Sequence, residues 1–227
     1  MKRHLLAVAC AFGCAGFAHA EPGGTSTVYG PSVAQGEAEF EYRGATFTGG
    51  ALDGDAAHRF EAGYGVTDWW RPALVIQVED SSGGGAEVSD IAVENVFDFA
   101  GTRDWPVHFG GYVEYAFGQN GHDDEVELKL LAERRGDAVT TRLNLIGEHE
   151  IDGDEWEFGY AARVSWRASD HWALDIEGFG EPDANVHYWG PRVSFSLGET
   201  SLALGYLAGL DDAAADGQIR LALEFES

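Results

Sequence analysis

Cysteine is confined to Cys10 and Cys14. Both fall in a stretch expected to be removed on export, so the mature chain would hold no disulfide, thiol nucleophile or thiolate metal site. Cations are scarce: 14 Lys and Arg stand against 39 Asp and Glu, a formal net charge of −25. A chain this acidic repels nucleic acid and anionic membrane surfaces, and its natural counterparts are cations. No long apolar run follows the first twenty residues, which excludes spanning helices. There is no glycine-rich phosphate loop and no histidine pair at metal-binding spacing. No cofactor is therefore expected. Disorder is excluded as well, because 44% of residues are hydrophobic and 12% aromatic, enough to bury or embed a large surface.

The N-terminus reads as an export signal. Lys2 and Arg3 form a basic start, residues 5–17 are almost entirely apolar or small, and Ala18-His19-Ala20 has the small-x-small pattern of a cleavage site. Residues 1–20 are assigned as a signal peptide, cut after Ala20, and residues 21–227 as one domain. A lipid-anchored alternative wants Leu three positions before the Cys, where Ala7 and Ala11 stand instead. Loss of Lys2 and Arg3 leaves 12 basic against 39 acidic residues.

Strict alternation is the strongest pattern in the remainder. Trp156, Phe158, Tyr160, Ala162, Val164 and Trp166 fall on one face of an extended strand, and Glu157, Gly159, Ala161, Arg163, Ser165 and Arg167 on the other. A helix would scatter these residues, whereas a strand sorts them. The pattern recurs at Phe40 and Tyr42, Phe60 to Val66, Val126 to Leu130, Leu143 and Leu145, Trp172 to Ile176, Leu202 to Tyr206 and Ile219 to Phe225. Fainter versions lie at 72–79, 87–99, 105–117 and 186–197. Twelve segments result, most about 9–13 residues long, and a tilted strand needs about 9–11 to cross a bilayer. Turn dipeptides such as Asn120-Gly121, Asp152-Gly153 and Asp216-Gly217 separate them. Lipid cannot satisfy an open sheet edge. The expectation is thus an all-β, closed, antiparallel, up-and-down transmembrane barrel of about twelve strands in the bacterial outer membrane. A soluble sandwich or lipocalin-like barrel would share the alternation with its apolar face turned inward. Strand length, tryptophans gathered near segment ends and the terminal Phe225 favour the membrane.

Alternating connections sort the charges. One rim gathers Asp53, Asp55, Asp123, Asp124, Asp152, Asp154, Asp183, Asp212 and Asp216 without Lys or Arg, and the other is mixed. The acidic rim could attract cations or bind divalent ions beside lipopolysaccharide, with Asp123, Asp124, Asp152 and Asp154 as the candidate ligands. A solvated surface that keeps the loops soluble is the plainer account. The polar face would line a lumen through Arg59, Glu61, Glu94, Lys129, Arg142, Arg163, Asp175, Glu177, Arg192, Arg220 and Glu224, with Gln77, Glu114, Glu127, Asn144, Glu148 and Glu157 beside them. Opposite charges there must pair, and they could also select a solute. His149, His171, His187, Ser165, Ser169 and Ser194 form no recognisable catalytic motif, so no enzyme is expected.

Short stretches resemble a known group. Gly63-Tyr64-Gly65-Val66-Thr67-Asp68-Trp69, Gly190-Pro191-Arg192, Leu204-Gly205-Tyr206-Leu207-Ala208-Gly209-Leu210 and the final strand from Arg220 to Phe225 resemble proteobacterial outer-membrane barrels of the transporter-like MetA-pathway (phenol degradation) family. The resemblance implies an outer-membrane barrel with a transport role and carries over no catalytic residue. The functional expectation is a channel or transporter for small solutes, in contact with outer-membrane lipid and lipopolysaccharide. The alternatives are a non-conducting structural or ion-binding barrel and a lipid-modifying enzyme.

Overall fold

A computed structural model describes residues 22–101 and 105–227. The expected signal peptide, with Cys10 and Cys14, lies outside the described residues, as do Arg103 and Asp104. Twelve strands follow one another: β1 (Ala38–Thr48), β2 (Ala56–Tyr64), β3 (Trp70–Ser81), β4 (Gly85–Asp98), β5 (His108–Gly118), β6 (Glu125–Arg135), β7 (Val139–Glu150), β8 (Glu157–Arg167), β9 (Trp172–Glu181), β10 (Val186–Leu197), β11 (Thr200–Asp211) and β12 (Gly217–Glu226). Each pairs antiparallel with its neighbours in sequence, and β12 returns to β1, so the sheet is a closed up-and-down barrel. The seam runs from Glu39 opposite Glu226 to Thr48 opposite Gly217. Closure leaves no backbone edge unpaired, which is the condition for a sheet to face lipid.

Alternation sets which face is which. On β3, Leu74 and Ile76 are exposed while Ala73, Val75 and Gln77 are buried. On β6, Leu128 and Leu130 are exposed while Lys129 and Leu131 are buried. The apolar side chains therefore point away from the barrel and the charged ones point in, the reverse of a soluble sandwich. One register shift between Gln77 and Val78 marks a bulge in the β3–β4 hairpin, which lets the strand bend without opening the sheet.

Connections 49–55, 82–84, 119–124, 151–156, 182–185 and 212–216 share one rim, here the acidic rim. Connections 65–69, 136–138, 168–171 and 198–199, with the described residues 99–101 and 105–107, share the other with the start of β1 and the end of β12, here the terminal rim. Lys and Arg are absent from the acidic-rim connections. Its carboxylates also tie the turns: Asp53 accepts from Gly49 N, Asp55 from Ser82 N, and Asp124 from Tyr115 OH and Gly118 N. Aromatics band the terminal rim. Trp69 stacks on Trp70 and Phe97, and Trp172 packs on Phe195. Trp105 and Trp166 stand exposed beside them. Rings at this level suit a membrane–water interface.

An arginine placed at Leu130, midway along β6 and facing outward, should cost about 2–4 kcal/mol of folding free energy in vesicles. Urea titration of tryptophan fluorescence would measure it, and an unchanged midpoint would contradict the lipid-facing assignment.

Candidate functional site: the lumen

The barrel interior is occupied by the chain itself. Residues 22–37 enter at the acidic rim, cross the lumen and leave at the terminal rim, where β1 begins. At the entry, Gly24 N donates to Gln218 Oε1, and Gln218 Nε2 donates to the Pro22 carbonyl. Gly23 adopts φ +98° there against Gln218 and Leu207, a conformation glycine takes without steric cost. At the exit, Gly36 N donates to Gly65 O and Gly65 N to Glu37 O. A side chain on Gly65 would collide with the Ala34 carbonyl.

Tyr29 holds the middle. Its backbone N donates to Asn144 Oδ1 (2.8 Å), and Asn144 Nδ2 donates to its carbonyl (3.0 Å). Its hydroxyl donates to Glu94 Oε2 and accepts from Arg43 Nη2. The ring lies 4.8 Å from the Tyr112 ring. Lys129 Nζ sits 4.9 Å from the Tyr29 centroid and 4.5 Å from that of Tyr112, within cation–π range. Above it, Val28 packs with Phe47, Phe179, Tyr188 and Leu207 in an apolar cluster.

The segment also supplies backbone acceptors to arginines on the wall. Arg220 donates to the Gly24 and Ser26 carbonyls, Arg43 to the Thr25 carbonyl and Arg163 to the Val28 carbonyl. Around these contacts runs an ion-pair network. Arg43 binds Glu61 at 2.6 Å. Arg59 bridges Glu94 and Glu114, Lys129 pairs with Glu127, and Arg142 pairs with Glu133. Arg163, Arg192 and Arg220 converge on Glu177, and Arg192 also reaches Asp175. Buried charges are tolerated when paired in this way, and removing one partner is the costly change.

The eleven lumen residues expected from sequence thus all sit on the inward face. Ten belong to the ion-pair network, and the eleventh, Glu224, accepts from Ser201 Oγ near the terminal rim. Sequence reading missed Arg43, Arg71, Glu133, Gln218 and the whole internal segment. A hydrogen bond from Ile151 N to the Asp124 carbonyl joins the two loops that carry Asp123, Asp124, Asp152 and Asp154, but no three of these carboxylates converge on one point. Among the described residues, the carboxylates close enough to share one ion are Glu39, Glu41 and Glu61, and Glu39, Glu224 and Glu226. His171 lines a terminal-rim pocket with Ser165 and Ser169, but its ring turns to a backbone carbonyl and not to a serine hydroxyl. His149 and His171 bond to the Glu155 and Ser196 carbonyls, and His187 meets Tyr160 OH.

The segment divides the lumen into two cavities that both border Tyr29. The one toward the acidic rim is about 100 Å³ and strongly acidic, with Glu79, Asp90, Glu125, Glu127, Glu148 and Glu157 on its wall. Glu94, Glu114, Glu127, Glu148 and Glu157 are direct cross-strand partners on β4 through β8. Like charges in that relation repel, and Arg59 and Lys129 relieve only the first three. Among the described residues no lysine or arginine forms an ion pair with Glu148 or Glu157. The cavity toward the terminal rim is about 310 Å³ and mixed in charge.

Several solved barrels are similar to this chain. The NanC porin matches with a TM-score of 0.60 and 10% identity, over 82% of this chain and 98% of that one. The KdgM porin, solved with disordered oligogalacturonate, matches with a TM-score of 0.61 and 7% identity, over 82% and 98%. An outer-membrane channel from Pseudomonas putida F1 matches with a TM-score of 0.60 and 13% identity, over 92% and 100%. At such identities the shared property is the fold. No protein-family model and no curated protein matches the chain.

Replacing Asn144 with alanine leaves two buried backbone groups of Tyr29 without partners, a cost of about 1–3 kcal/mol. Amide hydrogen exchange in residues 22–36 should then accelerate by roughly tenfold or more. Unchanged exchange would show that the Tyr29–Asn144 pair does not anchor the segment.

Proposed function

We propose that the protein is an outer-membrane channel for small solutes, narrowed by its own N-terminal segment and favouring cations at its acidic mouth. One observation carries the reading: the closed barrel turns apolar side chains outward and charges inward, and keeps a cavity on each side of Tyr29. The fold shared with porins supports it. So does the resemblance of the Gly63 to Trp69 hairpin to the MetA-pathway barrels. The signal peptide over residues 1–20 belongs to the same reading. The terminal rim then faces the periplasm, as an even strand number allows. The acidic rim faces outward, where divalent cations can bridge it to lipopolysaccharide.

A cation preference follows from the glutamate row on β4 to β8, which concentrates positive counter-ions at the mouth. The non-conducting alternative draws on the internal segment, which fills the waist. The lipid-modifying alternative has no support in the histidine contacts.

Planar-bilayer recordings separate these readings. Full-length protein should give small, discrete conductance steps, and deletion of residues 22–36 should enlarge them several-fold. Under a salt gradient the reversal potential should indicate cation preference, reduced in a Glu148→Gln/Glu157→Gln double variant. Silence from both the intact and the shortened protein, each shown to be folded by heat-modifiable migration, would sink the channel.

A further inference from the structure

The cavity on the terminal-rim side has two unlike walls. Arg135, Arg142, Arg163 and Arg192 come from β6, β7, β8 and β10. They share three carboxylates, Glu133, Asp175 and Glu177, and Arg220 also leans on Glu177. Arg142 commits only its Nε, to Glu133. Its two Nη atoms have no hydrogen-bond partner among the described residues. The guanidinium packs against Gly30 of the segment, where a side chain would collide with it. This wall holds a surplus of positive charge with free planar donors.

The other wall comes from β1 and β12, the seam across the barrel from β6 and β7. Among the described residues, Glu39, Glu41, Glu224 and Glu226 on this wall form ion pairs with Arg43 and Arg71 alone. Glu39 belongs to both groups of three carboxylates whose oxygens lie within 4.8 Å of one another. This wall holds a surplus of negative charge with spare acceptors.

Opposed surpluses across one small cavity make a transverse field that orients dipolar solutes. A guanidinium fork matches a carboxylate, and a primary ammonium carries three N–H donors that suit three convergent carboxylates. We infer that this cavity binds a small zwitterion, carboxylate toward Arg142 and primary ammonium toward Glu39, Glu224 and Glu226. The inference rests on the channel reading and names the class of solute that would pass.

The test uses full-length protein in detergent and 6-aminohexanoate as the probe. Isothermal titration calorimetry should show binding at least tenfold tighter than for hexanoate or hexylammonium. Arg142→Gln should abolish the advantage over hexylammonium, and Glu226→Gln, at the exposed end of β12, should reduce the advantage over hexanoate. In bilayers the same probe should interrupt the current where the single-charge probes do not. Equal affinities for all three, or a titration answered only by magnesium ions, would overturn the inference. Salt conductance without zwitterion binding would refute this site and leave the channel standing. Zwitterion binding in a barrel that never conducts would refute the channel and leave the site.

Discussion

Tyr29 and Asn144 exchange two hydrogen bonds across the lumen, and much of the interior is arranged around that exchange. A closed barrel of twelve strands encloses more space than its own inward side chains fill. Charged residues on such a wall must find partners or water. Here the partners include a strand of backbone that runs through the middle. With Tyr29 fixed, its hydroxyl lies between Arg43 and Glu94, its ring lies under Lys129 and against Tyr112, and the neighbouring carbonyls reach Arg163, Arg43 and Arg220. Each contact is modest in net free energy, about 0.5–1.5 kcal/mol for a neutral hydrogen bond. Their removal as a set would strand several buried groups at once, which is why the segment and the wall hold each other in place.

The charge pattern explains why a neutral filler would not serve. Arg142 on β7 lies directly opposite Arg163 on β8, an arrangement that repels in isolation. Glu133 takes one, and Glu177 with the Val28 carbonyl takes the other. The same logic holds at Arg220, which splits its donors between Glu177 and the segment. Toward the acidic mouth the glutamates outrun their cations, and the imbalance falls where mobile counter-ions can reach it.

Much of this was legible in the sequence. Period-two patterning found twelve strands and both rims, because a strand with lipid on one face and charge on the other has no freedom in phase. The inward list was readable for the same reason: Arg59, Glu94 and Glu177 occupy the polar phase of strands whose other phase is Phe60, Val93 and Ile176. The internal segment was not legible. Residues 22–37 have no period, since each side chain there meets a different wall, and their hydrogen bonds run to partners as far as 196 positions away. A hint was present in Arg142 and Arg163, like charges on adjacent strands that call for more acceptors than their two strands carry between them. Arg43 stands on the polar phase of β1 with Glu39 and Glu41, yet no residue of that strand entered the inward list. The metal expectation at Asp123, Asp124, Asp152 and Asp154 came from their shared place on one rim, and a shared rim does not fix where each carboxylate points.

The direction of the segment bears on how the protein is made. Residue 22 lies at the rim opposite the one where β1 starts, so residues 22–37 pass the full height of the wall. Threading this segment through a finished ring would drag polar backbone past the waist. Laying it along the inner face of a still-open sheet meets no such obstacle. The β1–β12 seam, where Glu39 meets Glu226 and Thr48 meets Gly217, would then be the last edge to zip, closing around a strand already in place.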